Sequence, residues 1–170
     1  MAIENIIAEK VSHIANLLSK QNHCLAVAES CTGGMLAQVL TAQAGSSQWF
    51  EGGFISYSNR AKQQLLNISP ELLLRYQAVS EQTAKAMAEG ALKGTKAHYS
   101  LSTTGIAGPN SDQSQEEVGT VWCGLANALT GLSKAKCAKF KGDRHAVRQK
   151  AVLFALECLL EELTKSSEEM

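Results

Sequence analysis

An apolar run, Cys24-Leu25-Ala26-Val27-Ala28, passes straight into Glu29-Ser30-Cys31-Thr32-Gly33-Gly34, and a helical pattern, Met35-Leu36-Ala37-Gln38-Val39-Leu40, follows at once. The run reads as a buried strand and the junction as a strand-to-helix turn. That turn carries a carboxylate, two hydroxyls, a thiol and two glycines. Such a turn aims unpaired N–H groups and the positive end of a helix dipole at whatever lies above it. Ser30 then has two readings. It can cap the helix, as serine and threonine commonly do, or it can act as a nucleophile with an oxyanion site beside it.

The rest of the chain alternates in the same manner. Ile3, Ile6, Ile7, Val11, Ile14, Leu17 and Leu18 form one stripe, an amphipathic helix over 3–20. A strand over 24–28 and a helix over 33–42 follow, the helix closed by a glycine stop at Gly45. A second strand spans 52–57. Asn59 is expected to cap a helix over 60–67, and Ser69-Pro70 opens a short helix to about Tyr76. Ser80 caps a helix over 81–93 that Gly94 closes. A third strand, 98–103, runs into the glycine-containing loop Thr104-Gly105-Ile106-Ala107-Gly108-Pro109, and a polar loop covers 110–117. Strands over 119–126 and 134–140 are expected to form a hairpin. Gly142-Asp143 starts a final helix, and residues 166–170 are expected to fray. Five strands and about six helices in this order imply a layered α/β sheet in one domain, residues 1–165.

Charge and cysteine content narrow the function classes. Sixteen basic and sixteen acidic residues leave no formal net charge, which argues against nucleic acid as the main partner. No apolar run approaches the roughly 20 residues that span a bilayer. The N-terminus lacks a basic region and a signal-type cleavage site, so a cytoplasmic protein is expected. Cys24, Cys31, Cys123, Cys137 and Cys158 form no C-x-x-C pair, which makes zinc unexpected, and all but Cys31 read as core thiols. The phosphate-loop, dinucleotide-fold and H-E-x-x-H motifs are missing, so ATP, NAD and metal are unsupported and no cofactor is expected.

Loops 29–34, 57–62 and 104–109 leave strand ends, and ligands gather outside the carboxyl ends of strands in open α/β sheets. On a shared rim they bring together Ser30, Tyr57, Lys62 and Thr104. Serine with lysine is a known nucleophile and base pairing. A lysine must lose its proton first, which burial promotes. Tyr57 can relay the proton between Ser30 and Lys62, or Tyr57 and Lys62 can be ordinary strand and surface residues. Arg144 opens the last helix beside His145, with Arg148 and Lys150 near. Cations against the dipole suit a bound anion such as a phosphate, or a solvated basic face. Cys31 is the stronger nucleophile, but no histidine has a place near it.

These residues carry a resemblance to the CinA C-terminal domain family, whose characterised members are nicotinamide-nucleotide amidohydrolases. The matching segments, in family order, are Ala28-Glu29-Ser30-Cys31-Thr32-Gly33-Gly34, Gly45-Ser46-Ser47, Tyr57-Ser58-Asn59 with Lys62, Ala78-Val79-Ser80, Thr104-Gly105-Ile106-Ala107-Gly108-Pro109, Val118-Gly119-Thr120-Val121-Trp122 and Gly142-Asp143-Arg144. The resemblance implies a three-layer α/β/α sandwich with a mixed central sheet, dimeric or larger, in the form without the extra N-terminal domain of longer CinA proteins. It implies hydrolysis of the carboxamide of nicotinamide mononucleotide to nicotinate mononucleotide and ammonia. Ser30 is then the nucleophile, Lys62 the general base and Tyr57 an assistant. Thr104, Arg144, Cys31, Thr32, Gly33 and Gly105 fall at substrate-binding positions: Arg144 toward the phosphate, and the Cys31 and Thr32 N–H groups toward an oxyanion. One departure concerns the loop after Gly108-Pro109. Many members read Asp-Gly-Gly there and later Lys-Pro, whereas this chain has Asn110-Ser111-Asp112 and later Glu116-Glu117. Added acids near a phosphate weaken its binding. The alternative function is therefore a silent or differently specific relative that binds a nucleotide as a regulatory module.

Overall fold

The computed structural model describes residues 1–111 and 114–168. The elements are α1 (Ile3–Gln21), β1 (Leu25–Glu29), α2 (Met35–Thr41), a 3-10 turn (Ser46–Gln48), β2 (Phe50–Ile55), α3 (Asn59–Leu66), α4 (Pro70–Tyr76), α5 (Glu81–Thr95), β3 (Tyr99–Gly105), β4 (Thr120–Asn127), β5 (Leu132–Lys139) and α6 (Arg144–Glu168). The strands form one sheet in the order β2-β1-β3-β4-β5. β1 runs parallel to both β2 and β3, whereas β4 is antiparallel to β3 and to β5.

Strand alternation divides the core into two sides. Leu25, Val27, Tyr99, Leu101, Cys123 and Leu125 face α1, α2 and α6, burying Ile14, Leu18, Leu36, Leu40, Leu156 and Leu159. Ala26 and Ala28 face the other way, onto Leu66 of α3, Leu73 of α4 and Met87 and Ala91 of α5. The result is the expected α/β/α sandwich. No helix among the described residues is long and apolar enough to cross a membrane.

The topology determines where a ligand can lie. After β1 the chain passes through α2 to β2 on one flank, then through α3, α4 and α5 to β3 on the other flank of β1. The carboxyl end of β1 is therefore the point where strand order reverses, which opens a crevice in α/β sheets. Glu29 pairs with Ile55 on one side and Thr103 on the other, so β1 and β2 end level while β3 runs on to Gly105.

Local details differ from the sequence expectations. α2 starts at Met35 because Gly33 and Gly34 hold left-handed conformations, φ 56° and 101°, that keep them out of the helix. Ser58 rather than Asn59 caps α3, accepting the Ala61 N–H at 3.0 Å. Gly94 lies inside α5, where a Cβ would stand 2.8 Å from the Phe54 ring, and the helix closes on left-handed Lys96. Cys137 is exposed on the edge strand β5 and Cys24 is only partly buried, so the core thiols are Cys31, Cys123 and Cys158. α6 continues to Glu168, past the start of the expected frayed tail. Residues 112–113 of the polar loop and 169–170 of the tail lie outside the described residues.

Candidate active site

Three chain segments meet at the end of β1, joined by main-chain bonds. The Ser30 N–H donates to Thr103 C=O at 2.9 Å, and the Ser56 N–H donates to Glu29 C=O at 2.8 Å. The Gly33 N–H closes the turn onto Ser30 C=O at 3.0 Å. Ser30 is thus set between the two neighbouring strands rather than at the head of a helix. Gly34 occupies the N-cap position of α2 and offers no side chain to it.

Glu29 supplies the missing cap. Its Oε1 accepts from the Leu36 N–H at 2.9 Å and from the Thr32 hydroxyl at 2.6 Å, and its Oε2 accepts from the Ala37 N–H at 3.0 Å. A carboxyl group there also complements the helix dipole. The Thr32 hydroxyl in addition shares a 2.7 Å bond with that of Thr103. Glu29 therefore orients the turn backbone and makes no contact with Lys62.

Lys62 projects from the first turn of α3, and only 1% of it is exposed. Its Nζ lies 3.1 Å from Ser30 Oγ, 3.0 Å from Ser56 C=O and 2.9 Å from Tyr57 C=O. Burial lowers its pKa to about 8, against a smaller opposing influence from the Cys31 thiol. A neutral amine in this position keeps two N–H bonds to the carbonyls and turns its lone pair toward Ser30 Oγ. The geometry allows direct proton transfer from Ser30 to Lys62.

Tyr57 takes a different place from the expected relay. Its main-chain carbonyl accepts from Lys62, while its hydroxyl accepts from Arg144 Nη2 at 3.1 Å. Arg144 Nη1 also donates to Gly108 C=O at 2.6 Å, tying α6 to the 105–108 loop. Thr104 is buried and its hydroxyl donates to Ala78 C=O at 2.7 Å. Burial pushes the Cys31 thiol up to about 12, which keeps it a thiol at neutral pH.

These residues border a cleft of about 410 Å³, lined by Ser30, Cys31, Tyr57, Lys62, Thr104, Gly105 and Arg144 together with Asn59, Gln77, Val79, Asn110 and Ser111. Thr32, which is buried, and Gly33, which is exposed, do not line it. Among the described lining residues the cations are Lys62 and Arg144, and there is no carboxylate. Of the described acids of the divergent loop, Glu117 pairs with Lys139 at 3.3 Å, and Glu116 does not line the cleft.

Sequence reasoning gave Asn59 a capping role rather than a place in the cleft, passed over Gln77, and left Arg148 in a diffuse basic cluster. Arg148 reaches under the turn instead, Nε to Cys31 C=O at 3.2 Å and Nη2 to Thr32 C=O at 2.9 Å. Its i+4 spacing from Arg144 was the available signal, since it separates the pair by one turn of α6 along a single face.

The model of the CinA C-terminal domain family matches residues 7–163. The chain belongs to the CinA C-terminal domain family. Over 155 residues this CinA domain is 43% identical to the nicotinamide-nucleotide amidohydrolase PncC of Escherichia coli strain K12, covering 91% of the chain and 93% of that protein. It is 44% identical over 151 residues to a CinA-like protein of Solibacter usitatus, of which it covers 36%. The crystal structure of the competence damage-inducible protein A from Klebsiella pneumoniae superposes with a TM-score of 0.89 at 34% identity, covering 93% of this chain and 97% of that one. The CinA fold is thus shared along nearly the whole chain.

Proposed function

We propose that this CinA domain is an amidohydrolase that converts nicotinamide mononucleotide to nicotinate mononucleotide and ammonia. The observation that carries the reading is the 3.1 Å approach of Lys62 Nζ to Ser30 Oγ, with the amine braced by two carbonyls. The 43% identity to a protein named for this activity supports the substrate.

Neutral Lys62 takes the Ser30 proton as Oγ attacks the carboxamide carbon. The tetrahedral oxyanion forms beside the N–H of Cys31, which of the two expected donor residues is the one that lines the cleft. Collapse breaks the C–N bond, and the Lys62 ammonium returns the proton to the departing nitrogen, which leaves as ammonia. A water molecule, deprotonated by Lys62, then attacks the acyl ester and releases the carboxylate, and Ser30 regains its proton. Arg144 meets the phosphate at the cleft mouth, and Tyr57 contributes its carbonyl to Lys62 and its hydroxyl to Arg144. Thr104 and Gly105 shape the wall.

Ammonia release from nicotinamide mononucleotide by the purified protein is the test. Ser30→Ala and Lys62→Ala should each lower it by about 100-fold or more. Thermal-shift binding of pyridine nucleotides without turnover in the wild type favours the regulatory module instead. The remaining readings, a single domain over 1–165 working in the cytoplasm as a homodimer or higher homo-oligomer, are tested by limited proteolysis, sedimentation and cell fractionation.

A further inference from the structure

Arg148 does not line the cleft, yet it is joined to Ser30 through a single peptide unit. Its Nη2 donates to Thr32 C=O at 2.9 Å, and the N–H of that same peptide, on Gly33, donates to Ser30 C=O at 3.0 Å. Hydrogen bonds in series through one peptide polarise each other. Its Nε donates to Cys31 C=O at 3.2 Å. In a planar trans peptide the N–H points opposite to the carbonyl. The Thr32 N–H is consequently turned away from the guanidinium.

The contact is built from both sides. Val147 and Ala151, which flank Arg148 on α6, are buried against Cys31, Ala107 and Val121. A Cβ on Gly33 would stand 3.3 Å from Arg148 Nη2, so the guanidinium packs closely against the turn. Glu29 holds the same turn from the other direction through Thr32, Leu36 and Ala37.

We propose that Arg148 is a positioning residue for the amide hydrolysis, fixing the peptide planes after Ser30 so that the nucleophile is held in place for attack on the substrate. The proposal rests on the reading of Ser30 as nucleophile. Arg148 touches neither substrate nor the reacting atoms. A misaligned nucleophile or oxyanion donor costs up to about 100-fold in rate.

The test uses the full chain with Arg148→Met and Arg148→Lys and reads two quantities. One is ammonia release from nicotinamide mononucleotide. The other is the rate at which diisopropyl fluorophosphate phosphorylates Ser30 with loss of fluoride, followed by intact mass, with Ser30→Ala as the blank. For Arg148→Met we expect kcat and the labelling rate to fall together by roughly 10- to 100-fold, with KM nearly unchanged and the pH midpoint set by Lys62 in place. Arg148→Lys, which keeps a cation able to reach one carbonyl, should recover part of both. Wild-type labelling with no ammonia release overturns the substrate while the variants still judge Arg148 by labelling. Equal labelling rates in wild type and in either folded variant overturn the proposal, as does a wild type whose Ser30 is not labelled. If Arg148→Met does not fold, Arg148→Lys alone decides by the same comparison.

Discussion

The hydroxyl of Thr32 donates to Oε1 of Glu29 across 2.6 Å, so the last residue of β1 grips the turn that it launches. Three donors converge on a carboxyl group that is 1% exposed. Replacing one oxygen with an amide nitrogen in Glu29→Gln leaves a buried N–H facing a donor rather than an acceptor. The expected cost is about 1–3 kcal/mol. Urea unfolding should show a lower midpoint at an unchanged m-value; an unchanged midpoint would mean that solvent replaces the cap.

The rate should report Lys62 directly. With its pKa lowered to about 8, the ammonium predominates below that value and only a minority of molecules hold the free base. kcat/KM is expected to rise about tenfold per pH unit below 8 and to level off above it. Lys62→Arg keeps a permanent charge and has no accessible lone pair. It should lose about 100-fold or more at every pH, and a variant that retained the wild-type profile would remove Lys62 from the base role.

Stability should follow the same group with a defined sign. The native lysine releases its proton near 8 and the unfolded one near 10.5. Between those values the unfolded chain binds more protons, so stability gained through this site increases as pH rises. Below 8 both states are protonated and the contribution is flat. The difference in unfolding free energy between wild type and Lys62→Met should thus climb from pH 8 to 10.5, on the order of 1 kcal/mol per pH unit. Denaturant titrations of both proteins across that window measure it, and a flat difference would place the native pKa near its ordinary value.

The fold was legible because its signals are local. Apolar stripes and short apolar runs mark α1 and β1, and Ser69-Pro70 marks the start of α4. Ser30 and Lys62 were legible as a chemical pair. Their surroundings were not, because the partners are main-chain groups without a residue signature: Lys62 is braced by two carbonyls, and Arg148 by carbonyls 116 and 117 positions away. Tyr57 illustrates the limit. Alternation after β2 turns Ser56 inward at 0% exposure and Ile55 and Tyr57 outward at 56% and 58%, so the backbone rather than the ring of Tyr57 faces the amine. That outcome follows from which face of an edge strand is covered, a property of the packed sheet.

Arg144 should separate substrate recognition from chemistry. Its guanidinium spends donors on Gly108 C=O and the Tyr57 hydroxyl, and others of its five N–H groups stay available to an anion at the cleft mouth. A charge-assisted bond to a phosphate contributes about 1.5–3 kcal/mol, equivalent to roughly 10- to 100-fold in binding. Arg144→Met should therefore raise KM for nicotinamide mononucleotide by that factor with a smaller change in kcat. Nicotinamide riboside, the same amide without the phosphate, should be affected far less. Steady-state kinetics with both compounds on wild type and variant measure the coupling. Equal losses for the two would assign Arg144 to shaping the 105–108 loop rather than to the phosphate.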